Sequence, residues 1–205
     1  MQQAIDTFKL NIDSVKQLDA IYQYLEQNNV GKTLDLSEIL RAEIVLAVSA
    51  MDNFISDLLL IGLVENFEQR KPLSNEFAKF RLDMQTVMNI LNEPSQREKS
   101  AILGEYVRKF NEGNAYQEPK NIANTLKLLG ITELWNKVST IMSISNPADV
   151  SKELEIIVWN RNKIAHEADF DHLSQKKRQR DRPTTLHAVD FIEKLCNAIY
   201  TIATT

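Results

Sequence analysis

Histidine titrates near neutral pH, so it can take a proton from a ribose 2′-hydroxyl or return one to a leaving oxygen. Arginine can grip a phosphate through two parallel hydrogen bonds and stabilise the charge that builds on it. Both occur in the six residues Arg161-Asn162-Lys163-Ile164-Ala165-His166. Asn162 can orient the imidazole or hold the ribose. The chemistry open to this set is scission of an RNA phosphodiester by its own 2′-hydroxyl. That nucleophile belongs to the substrate, so neither a metal nor another cofactor is called for.

Position on a helix sharpens the reading. Leu154, Ile157, Val158, Ile164 and Ala165 fall three and four apart and share one face, and Arg161 stands in the middle of it. A guanidinium is almost never fully buried unless its charge is matched. Arg161 therefore needs a buried anion, a partner chain or a phosphate. A carboxylate of the second helix, Glu43 or Asp52, would make it purely structural. Asn162 and His166 lie one above the other, but Arg161 and His166 diverge by roughly 140° on a regular helix. To act together they need either a distortion near Ala165 or a second copy of the motif. A two-fold interface brings the same patch of both chains together.

The elements that must hold these residues read as helices. Among 205 residues there are only five Gly and five Pro, too few for the turns of a many-stranded sheet. Hydrophobic content of 43% and charged content of 25% are those of an ordinary globular domain. The periodicity predicts an all-α, single-domain bundle of seven to eight helices spanning 1–205. The first runs over 2–28, with Ile5, Phe8, Ile12, Val15, Leu18, Ile21 or Tyr22 and Leu25 inward. The second, over about 37–66 with Ser37 as N-cap, is apolar nearly all round and so belongs at the centre. Pro72 closes the connection after it. Further helices are expected at about 75–92, 96–111, 120–129 and 132–143, then the motif helix over about 151–168 and a closing helix to about 203. A basic loop over about 172–183 separates the last two.

Other constellations are weaker. Gln175 to Arg182 carries a local charge of +4 in a chain of net −4, which leaves about −8 elsewhere. Any contact with nucleic acid must therefore be local, and Lys163, Lys176, Lys177, Arg178, Arg180 and Arg182 are the residues able to track an RNA backbone. The ordinary use of such a run is a solvated loop. Trp159 and Trp135 can stack on bases, although helical spacing more often places tryptophan in a core or an interface. His166, Asp169, Asp171 and His172 resemble metal ligands in type, but all come from one helix end and no second cluster completes a set. Asp169 and Asp171 better suit the helix exit. Val30-Gly31-Lys32-Thr33 imitates the end of a phosphate-binding loop, but Glu26 occupies the place of the required first glycine. The lone Cys196 falls in an amphipathic run as a buried hydrophobe and fits a reducing compartment. Asp52, Asn53 and Asp57 interrupt the apolar stretch 44–64, which argues against a membrane span. With no signal-like N-terminus, these features lead us to expect a cytoplasmic protein.

Arg161-Asn162-Lys163-Ile164-Ala165-His166 has the form arginine, polar residue, short spacer, histidine, and resembles the motif of the HEPN superfamily of all-α ribonucleases. The segment from Arg41 to Leu58 resembles the second helix of the RiboL-PSP-type branch. Pro119-Lys120-Asn121-Ile122 with Leu128-Leu129-Gly130-Ile131 resembles a middle segment of the same branch, so the likeness spans about 37–170. The resemblance implies a homodimer whose two motifs line one cleft, and a metal-independent endoribonuclease acting as a toxin or in antiviral defence. It implies Arg161 as phosphate binder, His166 as acid and base, and Asn162 as the polar residue beside the arginine. RNA and a second copy are then the expected partners, with a cognate antitoxin or a nucleotidyltransferase as further candidates. Some members of the superfamily are catalytically silent binding modules, which is the competing expectation.

Overall fold

The computed structural model describes residues 1–70, 74–171 and 173–205. Pro72 and His172, both singled out above, lie outside the described residues. Among the described residues the chain forms eight α-helices and one small ribbon. In order these are α1 (Gln2–Gln27), α2 (Ser37–Phe67), α3 (Met84–Asn92), α4 (Gln96–Glu112), α5 (Pro119–Lys127), α6 (Leu134–Ile141), α7 (Pro147–Glu167), β1 (Phe170–Asp171), β2 (Lys176–Lys177) and α8 (Arg182–Thr204). The all-α reading holds.

α2 is the axis. Leu40, Ile44, Ala47, Met51, Phe54, Ile55, Leu58, Leu59 and Leu63 are buried along it, because α1, α4, α7 and α8 pack around it. Its length and composition would suffice for a membrane crossing, yet half of its most apolar window is buried inside the protein. The apolar stripe of α1 packs against it through Ala4, Ile5, Phe8, Ile12 and Val15, and the rings of Phe8 and Phe54 lie 5.5 Å apart. Beyond Val15 the expected inner face is only half-buried, through Leu18, Tyr22 and Leu25. Ile21 is 49% exposed, whereas Asp19 is buried because Arg182 of α8 pairs with its carboxylate.

Helix ends follow their capping chemistry. α7 starts at Pro147, earlier than the periodicity suggested, because the Asn146 side chain accepts the Ala148 N–H and Pro147 is preset for a first turn. It stays α-helical to Glu167, then Ala168 and Asp169 both turn left-handed, with φ of 49° and 56°. The Asp169 N–H closes this turn by donating to the Lys163 carbonyl at 2.8 Å. α3 begins only at Met84, where Asp83 caps the Thr86 N–H; residues 77–79 before it form a 3-10 turn. Ser37 opens α2 as its first residue, while Asp35 accepts its N–H. The supposed basic loop is shorter than 172–183. Lys176–Lys177 pairs antiparallel with Phe170–Asp171, and α8 has begun by Arg182.

Candidate functional site

Arg161 and His166 occupy the last two turns of α7. Arg161 is half-buried on the side that faces the core. Its Nε is buried without a hydrogen-bond partner, and the one hydrogen bond its guanidinium makes among the described residues runs 3.1 Å to Oδ1 of its neighbour Asn162. Neither carboxylate considered for it is engaged with it. Asp52 accepts from the Tyr116 backbone N–H at 2.6 Å and from Gln117 at 2.8 Å, and both oxygens of Glu43 lack partners. His166 is exposed and makes no hydrogen bond among the described residues. Because α7 is unbroken through Ala165, the distortion that would join the two residues within one chain is not formed. Asn162 is spoken for on its oxygen, which leaves its amide N–H groups free to donate.

What fixes the end of α7 is a buried carboxylate. Asp169, with no exposed surface, takes Nε of Arg180 at 2.7 Å on one oxygen and the same guanidinium at 2.7 Å on the other. Nε of Arg41, itself only 4% exposed, donates to it at 2.9 Å, and the Arg178 guanidinium lies 3.9 Å away. Burial pushes this carboxyl up, but the hydrogen bonds and charges of Arg180 and Arg41 outweigh that and hold it below the usual carboxylate range. Arg41 also donates 2.7 Å to the Arg178 carbonyl and 2.5 Å to Ser37, while Arg180 reaches Asn160 at 2.7 Å. One carboxylate thus ties α2, the exit from α7 and the segment between β2 and α8 together.

The cations of the basic run divide accordingly. Arg180 serves Asp169, and Arg182 grips Asp19 with two hydrogen bonds of 2.6 and 2.9 Å. Arg178 donates 3.1 Å to the Phe170 carbonyl and sits 5.6 Å from the Trp159 ring centre. Lys177 pairs with Glu38, and Lys163 with Glu167. Lys176 is exposed on β2 with no ion pair among the described residues. Asp171 accepts the Leu173 N–H. Among the described residues no three His, Cys, Asp or Glu side chains gather as for a metal. The Cys196 thiol is fully buried, and burial pushes it well up.

Beside the motif, a groove of about 350 Å³ opens between α5 and α7. Glu118, Pro119, Lys120, Glu155, Val158, Trp159 and Asn162 line it. Trp159 is 50% exposed, and Lys163 lies 5.4 Å from its ring centre. Trp135 instead packs against the core.

Sequence reasoning passed over Arg41 and this groove. The signal for the groove was present: Glu155, Trp159, Asn162 and His166 recur at helical spacing on one face. No local pattern could have paired Arg41 with a residue so far along the chain. Comparison with known proteins adds one finding. The family model described as RiboL-PSP-HEPN matches residues 9–205, more than the segments that carried the resemblance. No curated protein and no solved structure matches the chain.

Proposed function

The chain belongs to the RiboL-PSP-HEPN family, and from that premise we propose that it is a metal-independent endoribonuclease whose cleft forms between two copies of α7. The observation that carries this reading is the unspent valence of Arg161. Arg41, Arg180 and Arg182 each hold a carboxylate, whereas Arg161 keeps a buried Nε without a partner. A half-buried cation in that condition suits an anion supplied from outside, and His166 stands exposed more than a turn further along the same helix.

In the proposed reaction Arg161 and the Asn162 amide hold the scissile phosphate. One imidazole takes the proton of the 2′-hydroxyl, whose oxygen attacks phosphorus. The bond from phosphorus to the 5′-oxygen breaks, and a protonated imidazole gives that oxygen its proton. The products are a 2′,3′-cyclic phosphate, or the 3′-phosphate left when water opens it, and a 5′-hydroxyl. Across a two-fold axis the His166 of one chain serves the phosphate held by Arg161 of the other, first as the base and then, once protonated, as the acid. Lys176 and Lys163 extend the cationic surface on which RNA is held. A toxin or a defence effector is the role we assign to such an activity.

RNA cleavage in excess EDTA tests this. The wild type should cut; His166→Ala should lose about two to four orders of magnitude. Cleavage that a chelator abolishes, or that survives the substitution, would overturn the mechanism. Expression should arrest cell growth for the wild type and not for His166→Ala. That no described residue holds the His166 ring in one tautomer favours a second reading, a silent module that binds RNA or an antitoxin or nucleotidyltransferase. It predicts RNA or partner binding and dimerisation with no cleavage at all.

A further inference from the structure

The exposed face of α7 continues past the motif. Glu155, Trp159, Asn162 and His166 stand one above another, and the groove against α5 is lined by the first three of them. From His166 to Trp159 the helix rises about 10 Å, the scale of a neighbouring nucleotide rather than of the same one. The half-exposed Trp159 ring offers a π-face, with the cations of Lys163 and Arg178 at 5.4 and 5.6 Å from its centre. Lys120 adds a positive charge at the mouth, the free Asn162 amide a donor, and Glu118 and Glu155 the acceptors that base N–H groups seek. An aromatic platform backed by cations and flanked by acceptors and one amide has the composition of a base-binding pocket.

We propose that this groove is a nucleobase subsite, in which Trp159 stacks on a base next to the scissile phosphate and thereby selects single-stranded RNA. The inference rests on the ribonuclease reading above. Bases inside a duplex already stack on one another and offer no face to a side chain, so a stacking platform discriminates against paired RNA. Lys163 and Arg178 lie over the ring but do not line the groove, so the part of the ring that faces the groove is left to the base, and the two cations draw the flanking phosphates while the carboxylates meet the edge of the base. Trp159 binds and positions; the proton transfers stay with His166.

The test uses full-length protein carrying His166→Ala, which can bind RNA without cutting it, and Trp135→Phe, which leaves Trp159 as the fluorophore of a chain with two tryptophans. A short single-stranded RNA of mixed sequence should quench the fluorescence saturably, and the same sequence annealed to its complement should bind more weakly. In the His166→Ala background, Trp159→Ala should weaken single-strand binding roughly tenfold or more, and Trp159→Phe, which keeps a ring, should retain most of it. Single-strand affinity undiminished in Trp159→Ala, or equal affinity for the duplex, overturns the subsite while leaving the ribonuclease reading intact. No binding of either RNA by any of these proteins overturns that reading and takes the subsite with it.

Discussion

Among the described residues two buried or half-buried ionisable side chains, Arg161 at its Nε and Glu43 at both oxygens, have atoms without hydrogen-bond partners, and they make opposite demands. A guanidinium is a cation by its chemistry, so the missing partner of the Arg161 Nε is a statement about a ligand. Replacing it with methionine removes an unsatisfied polar atom from an apolar face. Melting temperature should hold or rise while RNA cleavage falls about a hundredfold or more. A large loss of stability in that variant would instead mark Arg161 as a structural residue. Glu43 can shed its charge. Burial, then the nearby Asp19 carboxylate, push it up to about 7, against which Arg182 works only in part. Its folded value lies above its unfolded one, so its contribution is fully present below about pH 4 and is lost as pH rises through about 7. The loss is at most about 3 kcal/mol. Chemical denaturation between pH 5 and 8 should show that decline in the wild type and a flatter profile in Glu43→Gln.

At the scale of elements, the end of α7 depends on Asp169. Asparagine there would leave Arg41 and Arg180 as unmatched cations, which costs about 3–5 kcal/mol for a broken buried pair. The sign of its pH dependence is opposite to that of Glu43. Its folded value is depressed, so its stabilisation is present above the ordinary carboxylate range and lost as acid carries pH down through the folded value. Far-ultraviolet dichroism during denaturation should report the lower midpoint. The helices themselves were legible, because α1, α2, α4, α7 and α8 all bury residues three and four apart. Their limits were less so where capping chemistry outranks periodicity, as at Asn146-Pro147 and Asp83. Two-residue strands such as Lys176–Lys177 are too short for alternation to register. Asp169 was readable as part of a helix exit, but its arginines come from distant segments that only the fold juxtaposes. The candidate motif was legible in full; the ion pairs that occupy most of the basic run were not.

At the scale of the molecule, the unbroken α7 leaves a second chain as the means by which Arg161 and His166 can meet. Mixing two inactive proteins tests that arrangement. Arg161→Ala and His166→Ala, co-refolded at equal amounts, should regain about a quarter of wild-type cleavage, since half of random dimers are mixed and each mixed dimer keeps one intact pair. Sedimentation should report a dimer throughout. No regained activity in proven mixed dimers would place arginine and histidine of a working site on the same chain. The carboxylate that ties the exit from α7 to α2 and to the segment before α8 also has a consequence in time. Arg41 lies 128 residues before Asp169, and Asp19 lies 163 before Arg182. On a growing chain both early residues wait for the last quarter to be made, and contacts of such separation close late. For the ribonuclease proposed above, this order would be protective. While the nascent chain is still threaded through the ribosome, the richest RNA target in reach, the blade has no hilt.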